Sequence, residues 1–132
     1  MKAISICIGR KGSKGLPGKN TMKIKDKPLA FYPMNAARKS KYITHSFLST
    51  DDKLLEEIGK DLNHILINRP KELAISSALG EDVFEYTYKK IIQSHPDLKN
   101  HFIVLLFCNA PTVNSSLIDD GIEMLFKDPS AD

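Results

Sequence analysis

The sequence predicts an α/β protein of the Rossmann-like kind, a three-layer α/β/α arrangement around a mainly parallel sheet. Short apolar runs alternate along the chain with segments whose apolar residues recur at helical spacing. This alternation is typical of parallel strands joined by crossover helices. With 132 residues, of which 42% are hydrophobic and 27% charged, residues 1–132 are expected to form one folded domain.

Each strand is predicted from a short apolar run. Lys2–Ile8 is rich in β-branched residues and stops at Gly9, which is typical of a strand buried on both faces of a parallel sheet. Phe102–Phe107 is the most hydrophobic of the runs. The four strands are predicted at 2–8, 45–49, 64–67 and 102–107.

The helices between these strands are predicted from periodicity and from end signals. The first covers 31–39, with Pro33 in its first turn, where the missing N–H costs little. Asp51 and Asp52 supply N-cap chemistry for the second, and Ser115 or Ser116 for the last. The side chains expected to face the core are Leu54, Leu55 and Ile58, then Val83, Phe84, Thr87, Tyr88, Ile91 and Ile92 within 81–93, then Leu117, Ile118, Ile122, Leu125 and Phe126.

The number of strands predicts a sheet that is cut short. Doubly wound sheets usually have more than four strands, and the sequence stops just after the last predicted helix. We therefore expect the N-terminal part of a longer protein, truncated after the fourth strand. Strand 102–107 would then be an unpaired apolar edge, so a homodimer or other self-association is expected.

Positive charge is concentrated near the N-terminus. The net charge of the chain is +3, but the segment from Arg10 to Lys27 holds seven basic residues against one acid, Asp26. A polyanionic ligand is expected to bind there. Interleaved aromatic residues and known nucleic-acid motifs are missing from this segment, so no nucleic-acid partner is expected.

The loop 9–20 follows the first strand, at the edge where open α/β sheets bind their ligands. Its four glycines let backbone N–H groups approach an anion, and Arg10, Lys14 and Lys19 add cationic side chains. This combination predicts a triphosphate site. Gly18-Lys19 is followed by Asn20, so the loop is not a Walker A motif, and its glycines do not form GxGxxG. A kinase or a dinucleotide enzyme is therefore disfavoured.

The loop closely resembles the N-terminal signature of the CMP-sialic acid synthetases (acylneuraminate cytidylyltransferases), roughly A-R-x-x-S-K-G-[IL]-x-x-K-N. The match is in register from Arg10 to Asn20, with Gly9 in place of the leading alanine. Later landmarks follow in the family's order. The segments that resemble its K-P-L, S-T-D and R-P-x-E-L-A are Lys27-Pro28-Leu29, Ser49-Thr50-Asp51 and Arg69-Pro70-Lys71-Glu72-Leu73-Ala74.

The resemblance implies a fold of the nucleotide-diphospho-sugar transferase type. It also implies that a sugar hydroxyl attacks the α-phosphate of CTP and releases pyrophosphate. By position, Arg10 and Lys19 are the catalytic cations on the triphosphate, and Asn20 and Arg69 contact the cytidine. The phosphate-binding residues are Gly12, Ser13, Lys14 and Gly15. Mg²⁺ is expected on the phosphates, with its ligands outside this chain, so the chain alone is expected to be incomplete for catalysis.

The sequence departs from the family after the fourth strand. There the family usually reads L-L-Q-P-T-S-P-L-R, whereas Phe107 replaces the glutamine and Val113 the closing arginine. In the family this segment faces the acceptor sugar, so the acceptor stays open. Asn109 is the polar amide between these two positions and is expected to bind substrate.

Three functions remain open at this point. The leading hypothesis is a CTP-dependent cytidylyltransferase for a sialic-acid-like nonulosonate. The alternatives are a related nucleotidyltransferase with another acidic ketosugar, and a non-catalytic nucleotide-binding fragment. For Arg69, a surface ion pair is the simpler alternative to a ligand contact.

The remaining chemistry-bearing residues predict structural roles. Cys7 and Cys108 are expected to be buried thiols in a reducing compartment, which favours a cytoplasmic protein. The four histidines lack metal-ligand spacing and are expected at strand edges or on the surface. The longest apolar run, Phe102–Cys108, is too short to cross a bilayer, so no membrane association is expected.

Overall fold

The structure, a computed structural model, describes residues 1–11, 18–74, 80–128 and 130. In chain order its elements are β1 (Ala3–Gly9), a 3₁₀ turn (Lys19–Thr21), β2 (Lys23–Ile24), β3 (Lys27–Pro28), α1 (Phe31–Lys39), β4 (Ile43–Thr50), α2 (Lys53–Asp61), β5 (Ile65–Asn68), α3 (Lys71–Ala74), α4 (Gly80–Ser94), a 3₁₀ helix (Pro96–Asn100), β6 (Phe102–Phe107) and α5 (Ser115–Lys127).

Four parallel strands form the central sheet in the order β5-β4-β1-β6. All seven residues of β1 are buried, because this strand has a neighbour on each side and helices on both faces. That position explains its uninterrupted apolar sequence. The predicted Rossmann-like α/β class is confirmed.

The core lies in two layers, one on each face of the sheet. Ala3 and Cys7 of β1 face the layer that contains α1, α2 and α5, with Met34 and Leu55 among its buried side chains. The alternate residues of β1 face α4. The buried residues of this second layer are Ile4, Ile6, Ile8, Phe47, Val83, Ile91 and Leu98.

Two of the predicted helix ends can be compared with the observed caps. Asp52 caps α2 as expected, and its carboxylate accepts a hydrogen bond of 2.9 Å from the Leu54 N–H. The prediction of Ser115 or Ser116 as the cap of α5 is wrong. Asn114, in an extended conformation, is the N-cap and accepts from the Leu117 N–H at 2.9 Å.

A short hairpin interrupts the region predicted as a loop over 9–27. Strands β2 and β3 pair antiparallel, and the Tyr32 hydroxyl donates to the Ile24 carbonyl. The turn residues Lys25 and Asp26 both have positive φ, 51° and 70°. Turns with two residues at positive φ usually carry Asn-Gly, Asp-Gly or Gly-Gly, so Lys25-Asp26 is a weak signal for a hairpin.

Several side chains predicted to face the core point to solvent instead. Leu54, Leu117 and Phe126 are exposed by 55, 59 and 58%. Helix α5 covers the end of the sheet at β6, so a narrow stripe of Ile118 and Ile122 suffices to bury its inner face. His64 is not on the surface: it is 5% exposed and directly precedes the edge strand β5.

Strand β6 is at the edge of the sheet, as predicted for 102–107. One of its faces lies under α5 and buries Leu106. On the other face Ile103, Leu105 and Phe107 are exposed by 40, 49 and 47%, although the Phe84 ring of α4 packs edge-on against Phe107 with centroids 5.5 Å apart. In the part of the chain that the structure describes, no helix has the length and hydrophobicity needed to span a bilayer.

Candidate nucleotide-binding site

The candidate site lies where the direction of strand addition reverses. From β1 the chain moves outward to β4 and β5, and then returns across the sheet to place β6 on the other side of β1. Ligands of open α/β sheets bind in a crevice beyond the carboxyl ends of the two strands at such a reversal, which here are β1 and β6. Arg10 follows β1 and Asn109 follows β6 at this crevice.

The structure brings the second part of the glycine-lysine loop back to the end of β1. The Asn20 side-chain amide donates to the Arg10 carbonyl at 3.4 Å, and the Asn20 carbonyl accepts from the Ala30 N–H at 2.9 Å. Lys19 begins the 3₁₀ turn that holds Asn20, after Gly18 in a left-handed conformation with φ 74°. The predicted residues Gly12, Ser13, Lys14 and Gly15 lie outside the described residues.

Arg69 follows β5, two strands away from Arg10. Its Nε is buried, and neither a hydrogen bond to that atom nor a salt bridge of Arg69 is found among the described residues. The surface ion pair considered for Arg69 is therefore not seen there. Burial lowers the pKa of Arg69; nearby Asp51 raises it, and the positive charge of Arg10 lowers it. The charges of Asp51 and Arg10 thus act on the Arg69 guanidinium in opposite directions.

Asp51 makes a contact with the loop after β1 that the sequence did not predict. Its carboxylate accepts a hydrogen bond of 2.7 Å from the Lys11 N–H, and so connects the end of β4 to the loop after β1. The sequence predicts a capping role for both Asp51 and Asp52. One helix needs one N-cap, so two consecutive acids at a strand end were a signal that one of them has another role.

Close packing joins the ends of β1 and β6. The Cys108 N–H donates to the Ile8 carbonyl at 3.0 Å, and a Cβ on Gly9 would lie 2.6 Å from the Cys108 Sγ. The Sγ atoms of Cys7 and Cys108 are 3.6 Å apart, and both thiols are buried and free, as predicted. The adjacent Cys108 thiol and burial raise the pKa of Cys7. Asn109 is exposed beyond this contact.

The described residues do not fit a magnesium site. Among residues 1–11, 18–74, 80–128 and 130, no group of three or more His, Cys, Asp or Glu side chains is placed to hold a metal ion. The Asp51 carboxylate is already bonded to a backbone amide and lies close to Arg69. The rim of the crevice therefore offers cations and amides to an anion, which suits polyphosphate binding.

A Rossmann-like parallel sheet whose first strand is followed by a glycine- and lysine-rich segment is typical of nucleotide-binding α/β proteins. A model of the cytidylyltransferase family matches residues 4–132. The chain belongs to the cytidylyltransferase family, and the resemblance to the CMP-sialic acid synthetases is confirmed.

Individual relatives agree with this assignment. The chain is 33% identical, over 93% of its length, to the N-acylneuraminate cytidylyltransferase of Streptococcus agalactiae serotype V. It is 28% identical, over 98% of its length, to the pseudaminic acid cytidylyltransferase of Campylobacter jejuni. Its fold is similar, with a TM-score of 0.74 at 18% identity and 98% coverage, to CMP:2-keto-3-deoxy-manno-octonic acid synthetase solved with CTP.

These proteins are longer than the chain. It spans 29% of the streptococcal relative, 56% of the Campylobacter relative and 49% of the solved synthetase. What the matches share with this chain is therefore the part that contains the glycine-lysine loop and the first four parallel strands.

Proposed function

We propose that this chain is the CTP-binding part of a cytidylyltransferase that activates a sialic-acid-like sugar acid and releases pyrophosphate. The observation that supports the proposal is that Arg10 follows β1, where the Asn20 amide bonds to its carbonyl, and that Arg69 follows β5 of the same parallel sheet. These residues are far apart in sequence, and each follows the carboxyl end of a strand or contacts one. The match to the cytidylyltransferase family supports a nucleotide as the ligand of these residues.

In this reaction the sugar hydroxyl attacks the α-phosphate of CTP, and pyrophosphate leaves from the opposite side. The protein contributes mainly position and charge, because phosphoryl transfer needs little covalent chemistry from side chains. Arg10 and Lys19 would stabilise the charge that develops on the triphosphate. Asn20 and Arg69 would hold the cytidine, and Ser13 with the amides near Gly12, Lys14 and Gly15 would hold phosphate oxygens.

We also propose that Mg²⁺ accompanies the triphosphate, held by the nucleotide and by groups other than the described residues. Bound to phosphate oxygens, a divalent cation neutralises negative charge.

The acceptor is proposed as an acidic ketosugar of the nonulosonate class. The relatives are named for N-acylneuraminate, pseudaminic acid and 2-keto-3-deoxy-manno-octonic acid. All three are acidic ketosugars, and the first two are nine-carbon nonulosonates. Asn109 at the end of β6 would contact the acceptor. Phe107 and Val113 replace polar residues of the family there, which favours an acceptor other than sialic acid itself as the second candidate.

A non-catalytic nucleotide-binding role is the alternative from a different class. It is motivated by the length of the chain relative to the enzymes it matches, and by the missing acidic cluster among the described residues. Pyrophosphate release from CTP in the presence of an acidic ketosugar separates the two roles. If the sugar raises the rate of pyrophosphate release well above the rate without sugar, the chain acts as an enzyme. If CTP binds but no pyrophosphate is released, the non-catalytic role is supported.

Calorimetric titration of the chain with CTP, UTP, ATP and GTP tests the proposal. We expect CTP to bind at least about tenfold more tightly than the other three, and Arg10→Ala to weaken CTP binding about tenfold, the loss of one charged contact. Arg38→Ala on α1 is the matched control, because it removes the same charge from an exposed helix position. Equal affinity for all four nucleotides would contradict the cytidine assignment.

A further inference from the structure

An acidic side chain stands among the cations of the candidate site. Asp51 lies close enough to Arg69 to raise its pKa, while Arg10 acts on the same guanidinium in the opposite direction. A carboxylate at this position repels a triphosphate and so weakens binding by its charge alone. Its presence beside the site therefore calls for a compensating role.

Helix capping does not supply that role. The N-cap of α2 is Asp52, whose carboxylate accepts from the Leu54 N–H at 2.9 Å. The N–H of Asp52 is itself bonded to the Thr50 hydroxyl at 3.0 Å, so the turn is stabilised without the Asp51 side chain. That side chain turns away from α2 and towards a residue 40 positions earlier in the chain.

The contact that Asp51 makes is with the backbone of the nucleotide loop. Its Oδ1 accepts from the Lys11 N–H at 2.7 Å, a short distance that is typical of a charge-assisted hydrogen bond. Lys11 directly follows Arg10, whose carbonyl is held from the other side by the Asn20 amide at 3.4 Å. The backbone around Arg10 is thus held at two points, one from β4 and one from the returning loop.

We propose that Asp51 is a positioning residue of the nucleotide site, which fixes the start of the phosphate loop through the Lys11 amide. The inference rests on the proposed function for its nucleotide, but the tether to Lys11 is a property of the free chain.

Two substitutions separate the hydrogen bond from the charge. Asp51→Asn keeps an acceptor oxygen and removes the charge, whereas Asp51→Ala removes both. We expect hydrogen-exchange protection of the Lys11 amide, measured by NMR, to be kept within about threefold in D51N and to fall at least about tenfold in D51A. Asp52→Asn is the matched control, because asparagine also caps helices well, and it should leave Lys11 unchanged.

The CTP affinity of the same variants tests whether the tether serves the site. We expect D51A to bind CTP about tenfold more weakly and D51N to bind it as tightly as wild type or up to about fivefold more tightly, because repulsion of the phosphates is removed. A merely structural role would weaken both variants together with their thermal stability. Asp51 is exposed, so both variants are expected to fold, and circular dichroism checks this.

Each outcome decides a separate point. Wild-type protection of Lys11 in D51A overturns the tether, and unchanged CTP affinity in D51A with lost protection overturns the positioning role. If the wild-type chain binds no nucleotide while D51A still releases Lys11, the tether stands and the proposed function fails.

Discussion

At Gly9 the alanine of the family's motif would collide with its surroundings. A Cβ there would lie 2.6 Å from the Cys108 Sγ and 2.9 Å from the Leu55 Cδ1, closer than side-chain atoms approach one another. Gly9 and Cys108 are both departures from the family pattern. The two departures are therefore linked by packing, because the Cys108 thiol occupies the space that a methyl group at position 9 of β1 would need.

The Gly9–Cys108 contact predicts a coupled pair of substitutions. Gly9→Ala should lower the free energy of unfolding by about 1–3 kcal/mol through overpacking, and Cys108→Ala added to it should recover part of the loss. Chemical denaturation of the two single variants and the double variant measures the coupling. Strictly additive effects would show that the two residues do not compete for the same space.

His64 predicts a pH dependence of stability. It is buried, its Nδ1 lies 3.1 Å from the Leu62 carbonyl, and burial lowers its pKa below the ordinary 6.5. The unfolded chain therefore takes up a proton first as the pH falls. The stability that neutral His64 contributes is present above about pH 6.5 and is lost as the pH falls from there towards the lowered pKa.

Denaturation between pH 7.5 and 5 checks this expectation. The free energy of unfolding of wild type should fall across the lower half of that range, and the fall should be smaller in His64→Gln, whose side chain does not titrate. The comparison uses the slope with pH, because the substitution itself changes the stability. Parallel slopes for the two proteins would be evidence against a buried neutral His64.

Among the elements, those with a strong local pattern could be predicted and those set by backbone geometry could not. The apolar run of β1 and the helix over Phe31–Lys39 follow directly from residue type and periodicity. The β2–β3 hairpin could not be predicted because its turn contains no glycine and has Lys25, an unusual residue for positive φ, before Asp26. The buried face predicted for α5 includes more residues than the observed Ile118 and Ile122. Periodicity shows which residues share a helix face, but not how much of that face the neighbouring elements cover.

The same division applies to the candidate site. Arg10, Arg69 and Asn109 could be placed at one edge because each follows a parallel strand. The bond from Asp51 to the Lys11 amide could not be predicted, because it joins a side chain to the backbone of a loop that has no periodicity.

Capping of α5 gives a test at this scale. Asn114→Ala should lower the free energy of unfolding by about 1 kcal/mol, because the Leu117 N–H loses its acceptor. Ser115→Ala is the matched control and should change stability by less than about 0.5 kcal/mol. Thermal or chemical denaturation measures both. A larger loss of stability in Ser115→Ala than in Asn114→Ala would show that Ser115, as the sequence predicts, is the N-cap of α5.

For the whole molecule, exposed apolar side chains are concentrated around β6. Ile103, Leu105 and Phe107 form a row on one face of this edge strand, and Met124 and Phe126 are exposed on α5, where the Phe126 ring packs against Phe102. An apolar edge with unpaired backbone groups attracts another chain. We propose that the isolated chain self-associates through this edge.

Leu105→Lys tests the self-association. It should shift the chain towards monomer in sedimentation or light-scattering measurements, because a charge would have to be buried at the contact. Leu54→Lys is the control, since Leu54 is equally exposed but lies on α2. A wild-type chain that stays monomeric at high concentration, or an equal effect of both variants, would refute the assignment of β6.

A crystal structure of the chain with CTP tests the central claim most directly. We predict the triphosphate at the crevice between β1 and β6, within hydrogen-bonding distance of the Arg10 and Lys19 side chains, with Arg69 towards the cytidine. A groove of about 480 Å³ between β5 and α4, lined by Asn68, Tyr86 and Lys90, is the competing location. CTP bound in that groove, with Arg10 and Lys19 directed into solvent, would contradict the account.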